Sequence, residues 1–199
     1  MNERASSAAP PQPLKAMQAL AARVLAELTP YCVRAEIAGS IRRQRPLCGD
    51  IDIVCLAKHG HDGALGDAVR GLAGSSGLMT LNGRTAKRVL LRKSMVQCDV
   101  WCADHGVQGD MFTPGMPPNF GALLMTKTGS VGHNIRLVAE AKARGWKWSP
   151  VRGLIIPGET ADDPPEIVSF SERDIYMRLG LPSMEPCERD AWGESATAP

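Results

Sequence analysis

The sequence has no apolar stretch long enough to span a bilayer, which requires about 20 consecutive apolar residues. Its first residues, MNERASSAAPPQP, lack the apolar core of a secretory signal peptide. They are rich in Ala, Pro and Ser, so we expect a disordered leader over residues 1–13. These absences argue against a membrane protein.

The six cysteines have no C-x-x-C spacing, and the four histidines have no metal-ligand spacing. Both absences argue against a structural zinc site. Several cysteines lie in apolar runs, which is typical of reduced core residues, and we expect a cytoplasmic protein. The cysteines are Cys32, Cys48, Cys55, Cys98, Cys102 and Cys187.

The overall composition is that of a folded globular protein. The chain has 199 residues, 44% hydrophobic and 22% charged, enough for one domain or two small ones. The net charge is +2. This mild excess is compatible with a polyanionic partner but does not identify one.

Hydrophobic periodicity predicts an α+β fold. An apolar stripe predicts an N-terminal helix over 14–30, which packs on the following domain or, alternatively, contacts DNA as an arm. The other predicted helices begin near Ile41, cover 63–72, 120–127 and 133–144, and begin at Ser171-Glu172. The predicted strands cover 34–38, 51–56, 86–91, 95–102, 146–148 and 153–156.

Three aspartates fall where strand alternation brings side chains to one face. Successive strand residues point to opposite faces, so Asp50 and Asp52 share one face while Ile51 faces the core. Asp99 lies on the polar face of the strand 95–102 and joins them if the two strands pair. Three adjacent carboxylates repel one another without a cation, and Mg²⁺ prefers oxygen ligands. D-x-D is also common in strands with solvent-facing aspartates, so this pattern alone leaves both interpretations open.

Gly39-Ser40 is followed by two adjacent arginines. A Gly-Ser turn that begins a helix offers backbone N–H groups and a hydroxyl to an anion. Arg42 and Arg43 add positive charge at the same end, where a helix without a ligand favours acidic residues. A turn and a solvated helix face would explain each feature separately. Together with the aspartates, they predict phosphates beside a metal, which describes a nucleotide site.

These residues resemble the nucleotidyltransferase signature of family X DNA polymerases. The signature, G-S-x-R-R and then G-D-x-D with a third Asp on a later strand, reads here Gly39, Ser40, Arg42, Arg43, Gly49, Asp50, Asp52 and Asp99. Many nucleotidyltransferases share the G-S and D-x-D elements, and the double Arg narrows the resemblance to fewer of their families.

Two later segments are similar to the thumb of the same family. TKTGSVGHNIRLVAEAKARGWKWS carries the family's T-G-S and Asn, and SERDIYMRLGLPSMEPCERD resembles its closing segment. The resemblance runs from about Arg34 to Asp190. It implies a nucleotidyltransferase palm over 31–105, with a mixed or antiparallel sheet flanked by helices, and a small α+β thumb over 106–199.

The resemblance implies two bound Mg²⁺ ions, for which Mn²⁺ can substitute, held by Asp50, Asp52 and Asp99. Asp99 would take or orient the proton of a primer 3′-hydroxyl. The attack on the α-phosphorus would release pyrophosphate, driven by positioning and charge neutralisation.

The resemblance also implies a binding site for a dNTP. Ser40 and Arg43, helped by Gly39, would hold its β- and γ-phosphates. Gly129 and Asn134 would line its sugar and base side.

Several positions depart from the family pattern. Thr126-Lys127 replaces a Tyr-Phe pair that packs against the incoming sugar, so the choice between dNTP and rNTP does not follow from the resemblance. His133 replaces a Phe, Val138 an Arg, and Gln97 a basic residue near the third Asp.

Some thirty residues precede the implied palm, so we expect a reduced form with palm and thumb only. Such a form binds DNA weakly alone or relies on a protein partner in place of the missing DNA-binding domains. The leading hypothesis is a DNA polymerase that adds dNMP from dNTP to a DNA 3′-hydroxyl, in gap-filling or repair-type synthesis. Two alternatives remain open: a nucleotidyltransferase acting on an RNA end, a protein or a small molecule, and a non-catalytic DNA-end or nucleotide-binding subunit.

Two further groups of side chains have two interpretations each. Trp146 and Trp148 alternate as on a strand and form thumb core or stack on bases. A set of five basic side chains either contacts the phosphates of a nucleic-acid backbone or lies on a solvated sheet edge. It comprises Arg84, Lys87, Arg88, Arg92 and Lys93.

Overall fold

The computed structural model describes residues 9–74, 78–107, 117–160 and 162–194. The chain divides into two compact units, Met1–Cys102 and Ala103–Pro199. Both units combine helices and strands, which confirms the predicted α+β class. Within the described ranges, no helix is long and apolar enough to cross a membrane.

The first unit is built on a five-stranded mixed sheet. In chain order its elements are β1 (Gln12–Pro13), α1 (Leu14–Leu28), a 3₁₀ turn (Thr29–Tyr31), β2 (Cys32–Ile37), α2 (Gly39–Arg42), β3 (Leu47–Cys48), β4 (Asp50–Ala57), α3 (Asp62–Ala73), β5 (Met79–Asn82), β6 (Ala86–Leu90) and β7 (Gln97–Cys102). The sheet order is β2-β4-β7-β6-β5. The β4–β7 pair is parallel, and the other neighbours in this sheet are antiparallel.

Helices α1 and α3 cover the apolar face of this sheet. The stripe of α1 that contains Met17, Ala21 and Val24 is buried in the same core as Ile51 and Val69. This arrangement confirms that the N-terminal helix packs on the domain that follows it. Because the apolar face is covered by helices, the polar face of β4 and β7 is left to carry the aspartates.

Some local predictions of the first unit need adjustment. Of the expected disordered leader 1–13, residues 1–8 lie outside the described ranges, and Gln12–Pro13 forms β1 paired with β3. The strand predicted over 95–102 begins at Gln97, because Met95 has a positive φ of 54° in the preceding turn. Strand β5 was not predicted from the sequence, because its pairing with β6 comes from the tertiary fold.

The second unit combines four helices with a three-stranded antiparallel sheet in the part of the chain described. Its elements are α4 (Phe120–Thr128), α5 (Val131–Ala143), β8 (Lys147–Ser149), β9 (Gly153–Ile156), β10 (Glu166–Val168), α6 (Glu172–Arg178), a 3₁₀ turn (Pro186–Glu188) and α7 (Arg189–Glu194). The sheet order is β10-β9-β8. The hairpin of β8 and β9 confirms the prediction, whereas β10 was not predicted.

Helix capping explains two boundaries in this unit. Ser130 caps α5, so that helix begins at Val131 instead of the predicted residue 133. Ser171 caps α6 as predicted, and its Oγ accepts a hydrogen bond of 3.1 Å from the backbone N–H of Asp174. Trp146 and Trp148 pack against the core of this unit, which confirms their core interpretation. The proline-rich segment 112–119 lies largely outside the described ranges.

Candidate active site

The parallel pairing of β4 with β7 brings the predicted aspartates together. Asp52 lies directly opposite Asp99, and Asp50 lies opposite Gln97, so all three carboxylates share one face of the sheet. Ile51 lies on the other face and is fully buried, as the strand alternation predicts. The predicted clustering of the three side chains therefore follows directly from the strand register.

Asp99 is the most buried of the three aspartates and has a cationic partner. Its residue surface is 5% exposed. Arg88, on the neighbouring strand β6, donates from Nε to Oδ1 at 2.6 Å and from Nη2 to Oδ2 at 2.7 Å. The Nε2 amide of Gln97 lies 3.4 Å from each of the same oxygens. The charge-assisted fork from Arg88 is the stronger contact and fixes the orientation of the carboxylate.

Asp52 is held by two contacts from different parts of the first unit. The indole Nε1 of Trp101 donates to its Oδ1 at 2.9 Å. Its backbone oxygen accepts a 2.8 Å hydrogen bond from the N–H of Ala38, at the end of β2. The Ala38 contact connects the carboxylate cluster to the segment that contains Gly39 and Ser40.

The environment of the cluster disfavours the ionised form of Asp50. Burial raises the pKa of the Asp50 carboxyl above its ordinary value, and the nearby negative charge of Asp99 raises it further. The guanidinium groups of Arg88 and Arg43 act in the opposite direction. Because the folded-state pKa is raised, folding stability is lost as the pH rises through that value and Asp50 ionises. A cation at this site would offset the loss.

The Gly39-Ser40 segment lies directly beside Asp52. Gly39 has φ of +62°, and a Cβ at this position would lie 2.2 Å from Oδ2 of Asp52. The Oγ of Ser40 is buried and has no hydrogen-bond partner within the described part of the chain. Arg43 follows α2, close enough for its charge to affect Asp50. The structure thus places the predicted phosphate-binding residues beside the carboxylates.

We expect Gly39→Ala to destabilise the first unit and displace Asp52. Alanine is strained at the positive φ of this position, and its Cβ clashes with the Asp52 carboxylate. The expected loss of unfolding free energy is about 1–3 kcal/mol. Gly49→Ala is the matched control, since a Cβ there meets nothing within 4 Å. Urea unfolding measures the loss, and a change in the tryptophan emission of the folded protein, to which Trp101 beside Asp52 contributes, reports the displacement. Equal stability and emission for the two variants would contradict the close approach of Gly39.

The remaining predicted residues lie between α4 and α5 of the second unit. Gly129 ends α4 with φ of +66°, and its peptide bond to Ser130 is cis. Asn134 lies in the first turns of α5, where its Nδ2 donates to the carbonyl of Thr126 at 2.9 Å. Gly129 and Asn134 are therefore close in the same helix–helix junction. Asn134 is held there by the end of α4.

His133 is buried beside Asn134, and its polar ring atoms have partners. Its Nε2 lies 2.7 Å from the hydroxyl of Tyr176, and its Nδ1 lies 3.4 Å from Oδ1 of Asn134. Its ring also packs near the ring of Trp192, with centroids 5.2 Å apart. The buried polar ring of His133 is thus accommodated by hydrogen bonds, as burial requires.

Sequence reasoning missed the roles of Arg88 and Trp101 at the carboxylates. From the sequence, Arg88 is assigned to phosphate contacts or a sheet edge, and Trp101 is assigned no role. Both contacts join residues on different strands, and no local pattern in the sequence reveals that pairing. The sequence does contain one relevant pattern, the strand alternation of β7, which places Gln97, Asp99 and Trp101 on one face.

The three carboxylates offer the oxygen ligands that a divalent cation prefers. Among the described residues, no three His, Cys, Asp or Glu side chains form a ready metal site. Oxygens of Asp99 and Asp52 are instead engaged by Arg88 and Trp101. An oxygen-only donor set with a raised carboxyl pKa fits a hard cation such as Mg²⁺. The six cysteines, in contrast, are free thiols.

Comparisons with known proteins relate this chain to polymerase beta. Residues 123–190 match the sequence model of the DNA polymerase beta thumb, whereas no curated protein sequence matches the chain. The fold is similar to a crystal structure of Leishmania infantum polymerase beta in a ternary P/T complex, with a TM-score of 0.69 and 17% identity, over 92% of this chain and 78% of that one. A ternary gap complex of the same polymerase gives a TM-score of 0.67 and 18% identity, over 91% and 71% of the two chains. Residues 123–190 are thus similar in sequence to the polymerase beta thumb, and the chain shares its fold with polymerase beta over 92% of its length.

Proposed function

We propose that this protein adds dNMP from a dNTP to a DNA 3′-hydroxyl and releases pyrophosphate. The observation that carries the proposal is the register of β4 and β7, which sets Asp52 opposite Asp99 with Asp50 on the same face. The same chain carries a polymerase beta thumb over residues 123–190. A carboxylate cluster beside a phosphate-binding segment supports nucleotidyl transfer better than simple nucleotide binding.

Asp50, Asp52 and Asp99 would hold two Mg²⁺ ions, with Mn²⁺ as a substitute. Their oxygens are the donors that Mg²⁺ prefers, and the raised pKa of Asp50 supports a cation beside it. When bound, the two ions activate the attacking hydroxyl and stabilise the leaving oxygen. Asp99 is the carboxylate we assign to take or orient the 3′-hydroxyl proton. Its orientation by Arg88 supports that role.

The dNTP phosphates would bind at the Gly39-Ser40 segment. The buried Oγ of Ser40 has no partner in the described part of the chain, so it is free to bond a phosphate oxygen. The guanidinium of Arg43 supplies positive charge beside the cluster. Gly39 contributes by lacking a Cβ where the chain approaches Asp52.

Gly129 and Asn134 would contact the sugar and base side of the nucleotide. Asn134 is oriented by its bond to the Thr126 carbonyl and by the adjacent ring of His133. Such orientation limits the side-chain entropy that ligand binding would otherwise cost. Thr126 and Lys127 stand nearby at the end of α4, where the family carries an aromatic pair.

The acceptor we propose is a primed or gapped DNA duplex, in repair-type synthesis. The similar Leishmania structures are described as a ternary P/T complex and a ternary gap complex, and this supports gapped DNA as a substrate. Arg92 and Lys93 are exposed on the turn between β6 and β7 and remain candidates for phosphate contacts. Arg88 is engaged by Asp99 and belongs to the carboxylate cluster instead. A protein partner that supplies further DNA contacts is part of this proposal.

The test is primer extension on gapped, primed and single-stranded DNA, with dNTPs and rNTPs in parallel and with Mg²⁺ or Mn²⁺. We expect extension on gapped or primed DNA, pyrophosphate release, and loss of both in EDTA. Absence of incorporation on every substrate with either metal would overturn the proposal.

A second candidate is a nucleotidyltransferase with an acceptor other than DNA. The observation that favours it is Thr126-Lys127, which lacks the aromatic surface that packs against the incoming sugar in the family. Labelled NTPs offered with RNA ends, proteins and small molecules distinguish the two. Transfer to one of these acceptors but to no DNA substrate would assign this second function.

A further inference from the structure

The cation that holds Asp99 comes from the strand next to it in the sheet. In the antiparallel pairing of β6 with β7, Arg88 is the residue directly opposite Asp99. Directly opposite residues bring their Cβ atoms to about 5 Å, within reach of a two-point contact between guanidinium and carboxylate. The short distances from Nε and Nη2 to the two carboxylate oxygens are the result.

Position 97, on the same strand as Asp99, carries a neutral side chain. The Gln97 amide approaches both Asp99 oxygens only at 3.4 Å, and it adds no charge. Arg88 is near all three aspartates: its hydrogen bond to Asp99 raises its own pKa, and so do the charges of Asp99, Asp50 and Asp52. Its side chain is 41% exposed while that of Asp99 is 7% exposed. The guanidinium therefore lies at the solvent side of the buried carboxylate.

We propose that Arg88 is a positioning residue that serves as counter-ion of the carboxylate cluster, supplying from β6 the positive charge that position 97 lacks on β7. The inference rests on the proposed function of Asp99. In the metal-free protein Arg88 reduces the repulsion among the carboxylates and fixes the orientation of Asp99. A divalent cation binding at Asp99 has to compete with this contact.

This dual role predicts changes of opposite sign in two measurements. Removal of the charge in Arg88→Met makes the cluster more negative, so Mn²⁺ binding becomes tighter by about tenfold, the change expected for one nearby charge. The same variant loses the orientation of Asp99, so its single-turnover rate falls although it binds metal better. In EDTA it also unfolds at a lower temperature than the wild type. A residue with a merely structural role would not tighten metal binding.

The decisive variant is Arg88→Met/Gln97→Arg, which moves the positive charge from β6 to position 97 on β7. We expect it to restore the Mn²⁺ affinity, the unfolding temperature in EDTA and part of the rate. Arg88→Lys keeps the charge but not the fork, so it should retain metal affinity near the wild type with a reduced rate. Lys87→Met, which removes the same charge from the adjacent residue, is the control and should change Mn²⁺ affinity by less than Arg88→Met. The nitrogen of Lys87 contacts Asn82 and Gly83 rather than an aspartate.

Calorimetric Mn²⁺ titration and thermal unfolding of the full chain need neither DNA nor dNTP. Unchanged metal affinity in Arg88→Met, or a double variant that behaves like Arg88→Met, would overturn the inference. If the double variant restores affinity and stability while the wild type extends no primer, the proposed polymerase function fails and the assignment of Arg88 stands.

Discussion

Asp99→Asn is expected to lower the rate of the proposed nucleotidyl transfer by about 10³-fold or more. Asparagine has the same shape but carries no charge, so it cannot take a proton and is a poorer ligand for Mg²⁺. It also leaves the guanidinium of Arg88 without its anionic partner. The residues proposed to hold the nucleotide are not altered, so dNTP binding should remain largely intact. Single-turnover primer extension and a fluorescent dNTP titration measure the two effects separately.

Asp67→Asn is the control for this change. Asp67 lies on α3 and forms an exposed ion pair with Arg70, on the helical side of the first unit. Exposed pairs contribute little, so we expect a rate equal to that of the wild type. A normal rate in Asp99→Asn would show that the metal and proton roles are assigned to the wrong carboxylate.

Arg189→Met is expected to destabilise the second unit by about 3–5 kcal/mol, the usual cost of removing one partner from a buried ion pair. The side chain of Arg189 is 1% exposed, and its Nη1 donates to Oε1 of Glu172 at 2.9 Å. The backbone carbonyl of Arg189 also accepts a 3.3 Å bond from Ser130, the cap of α5. Loss of this side chain therefore removes the buried guanidinium from beside the Glu172 carboxylate and weakens the junction next to Gly129. Urea unfolding followed by tryptophan emission measures the effect.

Arg178→Met provides the matched comparison, because Arg178 forms an ion pair with Glu166 in which both side chains are about half exposed. We expect this change to cost less than about 1 kcal/mol. The double variant Arg189→Met/Glu172→Met should be more stable than Arg189→Met alone, since the Glu172 carboxylate that loses its buried cation is then removed as well. Equal losses for Arg189→Met and Arg178→Met would contradict the buried character of the first pair.

Much of the site follows from local rules. The alternation of side chains along a strand places Asp50 and Asp52 on one face, and the same rule places Asp99 on the polar face of β7. The cap at Ser171 bonds a group three residues away and was predicted from the sequence, whereas the equally local cap at Ser130 was missed. The sequence motifs also separate the implied palm residues from the thumb residues Gly129 and Asn134.

Other features depend on contacts between residues far apart in the chain. Arg88 meets Asp99 because β6 and β7 pair in one particular register, and a shift by one residue would turn it to the opposite face. His133 bonds Tyr176, and Arg189 bonds Glu172, across 43 and 17 residues of sequence respectively. No periodicity in the sequence encodes these pairs.

The sequence alone determined which chemical groups are available and which face of its own strand or helix each group occupies. It supplied three aspartates with strand spacing, a Gly-Ser turn with two arginines, and the T-G-S segment with its Asn. The tertiary structure decided their partners: Trp101 for Asp52, Arg88 for Asp99, and the close approach that requires Gly39 to lack a side chain. The physical reason is that the two properties depend on interactions of different range along the chain. Side-chain direction is a property of a few successive backbone angles, whereas strand register results from the packing of the whole sheet.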